Sequence, residues 1–89
     1  MAKIITYDLC KPGQDYSGLI ARIKQYPNAC KLTESCWLIS STLPCETVRD
    51  DLRRYLDDND CIFVANLYGG AAWRNMISSH EAIKLALHS

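Results

Sequence analysis

KIITYDL, residues 3–9, decides how the rest of this 89-residue chain is read. The run is rich in β-branched and aromatic residues and nearly continuous in apolar character. That suits an interior strand covered on at least one face. Lys11-Pro12-Gly13 breaks the run, and Asp15 or Ser17 can cap a helix behind it. Tyr16, Leu19, Ile20, Ile23 and Tyr26 follow at helical spacing, and Pro27-Asn28 stops the pattern.

Residues 29–41, ACKLTESCWLISS, alternate. Cys30, Leu32, Cys36 and Leu38 share one parity, Trp37 and Ile39 the other. Glu34 interrupts the alternation, and the stretch is long for one strand, so a bend or a break between two strands is expected there. No Asn-Gly or Gly-Gly marks a tight hairpin. Thr42-Leu43-Pro44 opens a second helix, since proline is tolerated in a first turn. Cys45, Val48, Leu52, Tyr55 and Leu56 form its apolar stripe, with Glu46 and Asp50 early and Arg53 and Arg54 late, as the helix dipole favours. Asp57-Asp58-Asn59-Asp60 is a polar break, and CIFVANL, 61–67, is a strand ended by Tyr68-Gly69-Gly70. Ser78 with Glu81 has capping-box spacing before a short helix carrying Ile83, Ala86 and Leu87.

The order β-α-β-β-α-β predicts an α+β, ferredoxin-like sandwich: an antiparallel sheet with two helices on one face and a short C-terminal helical tail. Residues 1–89 form one domain, with the core over about 3–68 and the tail over about 69–89 at a dimer interface. The core unit puts no helix on the second sheet face. Ile5, Tyr7 or Trp37 is expected there, and a second copy of the chain is the simplest cover.

Ten basic and ten acidic residues cancel, which argues against strong non-specific nucleic-acid binding but leaves room for a local patch. A domain of this size buries only about 60–65% of its unfolded surface, so a homodimer interface would add useful burial. No signal peptide and no stretch long enough to span a membrane is read, which implies a cytoplasmic protein. The five cysteines, at 10, 30, 36, 45 and 61, contain no C-x-x-C pair, and free thiols acting as small buried hydrophobes are expected. His80 and His88 lie far along the chain from the cysteines, against a zinc site.

YDLCKPGQDY and ESCWLI, with a Pro-led helix and a last strand after an acidic turn, resemble the small CRISPR-associated nuclease-like adaptor proteins, the dimeric partners of the spacer integrase. VapD-type toxin ribonucleases share that fold, and uncharacterised SinR-like proteins are similar in wording. The resemblance covers roughly residues 3–68. It implies a nucleic-acid-associated homodimer, and a metal-dependent phosphodiesterase or endonuclease acting on RNA or DNA. In that family the aspartate ending the first strand sits at the dimer twofold, where a pair can hold a divalent metal; the matching residue is Asp8. The family's serine before an aromatic residue matches Ser35, two residues before Trp37. The family also carries basic residues after the first strand, whereas here only Lys11 is basic between Asp8 and Arg22.

Two carboxylates about 4 Å apart repel by roughly 4 kcal/mol at an effective dielectric near 20, so they share a proton or recruit a cation. Mg²⁺ or Mn²⁺ would suit one or two carboxylates with water and phosphate oxygens. The alternative is that Asp8 caps the Lys-Pro-Gly turn. Lys11, Ser35, Arg49 and Arg53 are the candidate nucleic-acid contacts, although Asp50 and Asp51 interleave with the arginines as on a salt-bridged face. Trp37, Tyr68 and Trp73 are the candidate dimer contacts: Ala71, Ala72 and Trp73 can continue into a fifth strand pairing with the partner's sheet, an exchange the resemblance implies, or Trp73 can equally pack on its own subunit. The acidic run 57–60 lacks the glycine and distal glutamate of a calcium loop. The competing function is a non-enzymatic dimeric assembly or regulatory module, favoured by the scarcity of basic residues near Asp8. A small-ligand binder using the dimer cleft is a third reading, by fold analogy.

Overall fold

The computed structural model describes residues 1–10 and 16–88. Lys11 and the Asp15 cap fall outside them. The elements are β1 (Ala2–Asp8), α1 (Ser17–Lys24), β2 (Cys30–Thr33), β3 (Cys36–Ser40), α2 (Cys45–Arg53), β4 (Cys61–Asn66) and α3 (His80–Leu87). The strands form one antiparallel sheet in the order β2-β3-β1-β4. This α+β architecture is compatible with a small ferredoxin-like fold.

KIITYDL is an inner strand, flanked by β3 and β4. Its two parities go to two different cores. Ile5 and Tyr7 join Trp37 and Ile39 of β3, Leu19 and Ile23 of α1, and Val48 and Leu52 of α2 in the larger one. Ile4 faces the opposite way, with Leu38, Cys30, and Ile83 and Ala86 of α3. The expectation that Ile5, Tyr7 or Trp37 lies on an uncovered face is therefore corrected. Trp37 is 3% exposed, inside the core under α1 and α2, and has no surface to offer a partner. Its Nε1 donates to the Tyr7 hydroxyl at 3.1 Å, and that hydroxyl lies 3.5 Å from the Glu34 carbonyl.

The tail covers part of the second face in place of a second chain. Residues 67–77 form no strand with the sheet of their own chain. Instead Ile77 N–H donates to the Leu32 carbonyl and Ser78 N–H to that of Lys31, both at 3.0 Å, which seals the outer edge of β2. α3 starts one residue later than the Ser78–Glu81 spacing implies. Ser79 is the cap, and its hydroxyl accepts from Ala82 N–H at 3.2 Å.

β2 and β3 are joined through Glu34-Ser35, the break expected at Glu34. Neither residue takes a positive φ, so the turn is not of the mirror-image types that favour Asn-Gly. A register irregularity between Lys31 and Thr33 takes up the mismatch. Pro44 stands at the N-cap of α2 rather than in its first turn, and Ser17 opens α1 from within rather than capping it. Gly18 lets α1 and α2 approach: a Cβ there would stand 3.1 Å from the Tyr55 ring.

Asp51 of α2 ties these helices together. It accepts from the Tyr26 hydroxyl at 2.6 Å and pairs with Arg22 at 2.8 Å and with Arg54. Burial pushes its carboxyl up, but the Tyr26 hydroxyl and the guanidinium groups of Arg54 and Arg22 outweigh it and hold the pKa below the usual carboxylate value. Burial and the same hydrogen bond push the Tyr26 pKa up to about 12. A depressed carboxylate contributes stability above its unfolded pKa that is lost as pH falls through its folded one. Asp51→Asn is expected to cost about 1–2 kcal/mol at pH 7 and progressively less below about pH 4. Urea melts at pH 7 and pH 3 check this; an equal gap at both pH values would refute it.

Candidate functional site

Asp8 is the last residue of β1 and pairs across the ladder with Cys61, the first of β4. Alternation places it on the second sheet face with Thr6, and the register adds Cys36, Cys61 and Phe63 to that face. α3 packs toward the other end, over Ile4 and Leu38, and leaves this end open. A shallow groove of about 180 Å³ lies here, lined by Thr6, Asp8, Cys61 and Phe63 among others. Asp8 is exposed, and the Phe63 ring is 61% exposed in the middle of β4. No described segment pairs with the outer edge of β4.

Asp60 holds the chain beside Asp8 in place. It accepts from Cys10 N–H at 2.8 Å, from the Tyr16 hydroxyl at 3.0 Å and from Asp57 N–H at 2.8 Å. The acidic run 57–60 thus works as a staple joining the exit of β1, the start of α1 and the start of β4. Sequence reasoning missed this, because Cys10 and Asp60 stand fifty positions apart and neither belongs to a motif. Cys10 also donates its thiol to the Asn59 carbonyl at 2.8 Å. Partial desolvation first, then the nearby Asp8 and Asp60 carboxylates, push the Cys10 thiol up from its ordinary value, against thiolate character there.

All five cysteines are free thiols. The expectation that they are buried small hydrophobes holds for Cys30 and fails for Cys10 and Cys61, which are exposed. Among the described residues no three His, Cys, Asp or Glu side chains gather as a metal-ligand group. Among the described residues of one protomer, Asp8 has the Cys61 thiol beside it across the ladder, and Asp60 is engaged by Cys10, Tyr16 and Asp57. Hard cations such as Mg²⁺ and Mn²⁺ want several oxygen ligands, more than the described residues of one protomer bring together beside Asp8.

Among the described residues, the candidate phosphate-binding arginines do not converge on Asp8. Ser35 lies in the β2–β3 turn, and its carbonyl accepts from Tyr7 N–H at 3.0 Å, at the same end of the sheet as Asp8. Arg49 and Arg53 belong to α2, on the opposite face. Arg49 is paired with Asp50 at 3.0 Å. Arg53 lines a cavity of about 410 Å³ with Asp57, Asp58 and Asp60, an environment that repels phosphate. Tyr68 is 70% exposed, whereas Trp73 packs on its own subunit, its ring 5.3 Å from that of His80. No helix among the described residues is long and apolar enough to cross a membrane. In comparison with known proteins, no family model matches the chain and no curated protein matches it.

Proposed function

We propose that the protein is a homodimer of ferredoxin-like protomers, resembling the CRISPR-associated adaptor family, and that it serves as a nucleic-acid-associated assembly or regulatory module rather than as a nuclease. One observation carries the dimer: an exposed phenylalanine, Phe63, in the middle of an edge strand that no described segment pairs. Exposed edges and large exposed apolar groups are costly to leave unpartnered, and an identical edge satisfies both needs at once. A twofold normal to the sheet at β4 would pair two such strands antiparallel and set the two Phe63 rings side by side.

The same geometry argues against cleavage. An edge-to-edge seam leaves each Asp8 one strand back from the edge, so the two carboxylates are separated by at least three strand spacings, about 14 Å. A shared Mg²⁺ reaches oxygens at about 2.1 Å and cannot bridge that span. Arg49 is tied to Asp50, and Arg53 faces carboxylates, so among the described residues neither arginine offers a phosphate grip beside Asp8. The nucleic-acid association rests on the resemblance of Tyr7-Asp8-Leu9 and Glu34-Ser35-Cys36-Trp37 to the adaptor family.

Asp8 exposed at the strand end favours the phosphodiesterase as the second reading, which would need the open faces to meet face to face. Labelled single-stranded RNA and double-stranded DNA, incubated at low salt with Mg²⁺, Mn²⁺ or a chelator, separate the two. The expected result is no cleavage in any lane for either the native protein or Asp8→Asn. Metal-dependent cleavage by the native protein that is lost in Asp8→Asn would establish the phosphodiesterase instead.

A further inference from the structure

The second core is not filled. Between the sheet, residues 67–77 and α3 lies a cavity of about 460 Å³. Ile4, Leu38, Ile83 and Leu87 line it, with Trp73 and Met76 from the irregular segment. Arg74 is the one charged residue among the described residues on its wall. Among the described residues Arg74 makes no ion pair and no hydrogen bond. The neighbouring cavity, about 410 Å³, shares Leu67, Gly70 and Trp73 with the first and brings Lys84 and His88, with no Asp or Glu among the described residues that line it.

An apolar hollow with a single uncommitted guanidinium selects an amphiphile. The walls take a hydrocarbon body, and the planar fork of an arginine matches the two oxygens of a carboxylate. We infer that the cavity bounded by Ile4, Ile83, Trp73 and Arg74 binds an elongated apolar monocarboxylate of medium-chain fatty-acid size. Its volume sits in the lower part of the ~300–1,000 Å³ range of small-molecule sites, too small for a two-chain lipid. The wall has room to adjust. A Cβ built on Gly70 meets nothing within 4 Å, Gly69 holds a φ of 76°, and Met76 is a pliable side chain. The site lies within one protomer, so it stands or falls independently of the dimer.

Trp73 reports on the cavity, while Trp37 is sealed in the other core and supplies a constant background. The probes are decanoate, kept below its micelle-forming concentration, and the neutral decanol. Decanoate should change tryptophan emission saturably and raise the melting temperature, and should bind more tightly than decanol. Arg74→Gln, an exposed position, should leave the ligand-free melting temperature unchanged. It should weaken decanoate binding roughly 10-fold or more and leave decanol untouched, since a hydrogen bond to a charged group is worth about that factor. No saturable change with decanoate overturns the site. Equal binding of decanoate and decanol by the native protein overturns the carboxylate preference, with or without a folded variant.

Discussion

Trp37→Ala is expected to lower the melting temperature by roughly 15–30 °C, enough to leave much of the protein unfolded at 37 °C. The side chain is 3% exposed and sits where β1, β3, α1 and α2 meet. Truncating a buried tryptophan costs about 3–5 kcal/mol, because the transfer energy is lost and the cavity closes only in part. The Tyr7 hydroxyl also loses the indole N–H that donates to it at 3.1 Å. An 89-residue domain has roughly 4–13 kcal/mol to lose, and each kcal/mol moves the midpoint of so small a domain by about 4–8 °C. Trp37→Phe keeps most of the packing and drops only the N–H, so it should cost about 1–2 kcal/mol. Calorimetry on both variants tests the placement. An alanine variant melting within a few degrees of the native protein would mean that Trp37 is not in the core.

Phe63→Asp is expected to turn a dimer into a monomer without unfolding it. Light scattering of the native protein should give about twice the 10.1 kDa chain mass at micromolar concentration. The variant should give the chain mass. Burying each ring is worth about 2 kcal/mol, and the twofold counts it twice, so the dissociation constant should rise roughly 1,000-fold. Two carboxylates set opposite each other on the seam add repulsion. The ring is 61% exposed within its own chain, so the circular dichroism spectrum should not change. A native protein that scatters as a monomer at micromolar concentration would sink the dimer, and the assembly role with it.

The elements were legible where one local signal sufficed. KIITYDL and CIFVANL read as strands, Leu19 with Ile23 and Val48 with Leu52 as buried helical stripes, and all appear where the pattern places them. Which way a strand faces was not legible, because both parities of β1 and β3 are apolar. Ile4 and Leu38 are as greasy as Ile5 and Ile39, so periodicity alone cannot say which set lies under α1 and α2. The stripe of Ile83 and Ala86 announced that α3 buries a face, but not that the face is its own sheet. Glu34-Ser35 joins two strands without any turn residue, so only the broken alternation marked it. Asp8 was visible as a strand end, whereas its surroundings were not. Asp60 reaches Cys10 across most of the chain, and the cavity beside Arg74 is made by a segment with no periodicity at all.

The position of β1 bears on how the protein is made. It precedes every other described element, yet its neighbours in the sheet are β3 and β4. Ala2 waits for Ser40, and Lys3 for Asn66, whose side chain also receives the buried Lys3 ammonium at 2.7 Å. At ~5–20 residues per second the ribosome needs roughly 3–10 s to travel from Asp8 to Cys61. Throughout that interval one of the most apolar strands of the chain has at least one bare flank. A nascent chain stalled before β4 therefore carries an open β1 edge next to an incomplete core, the kind of strand that pairs with other chains. Pairing on both flanks of β1 waits for β4, the last strand among the described residues.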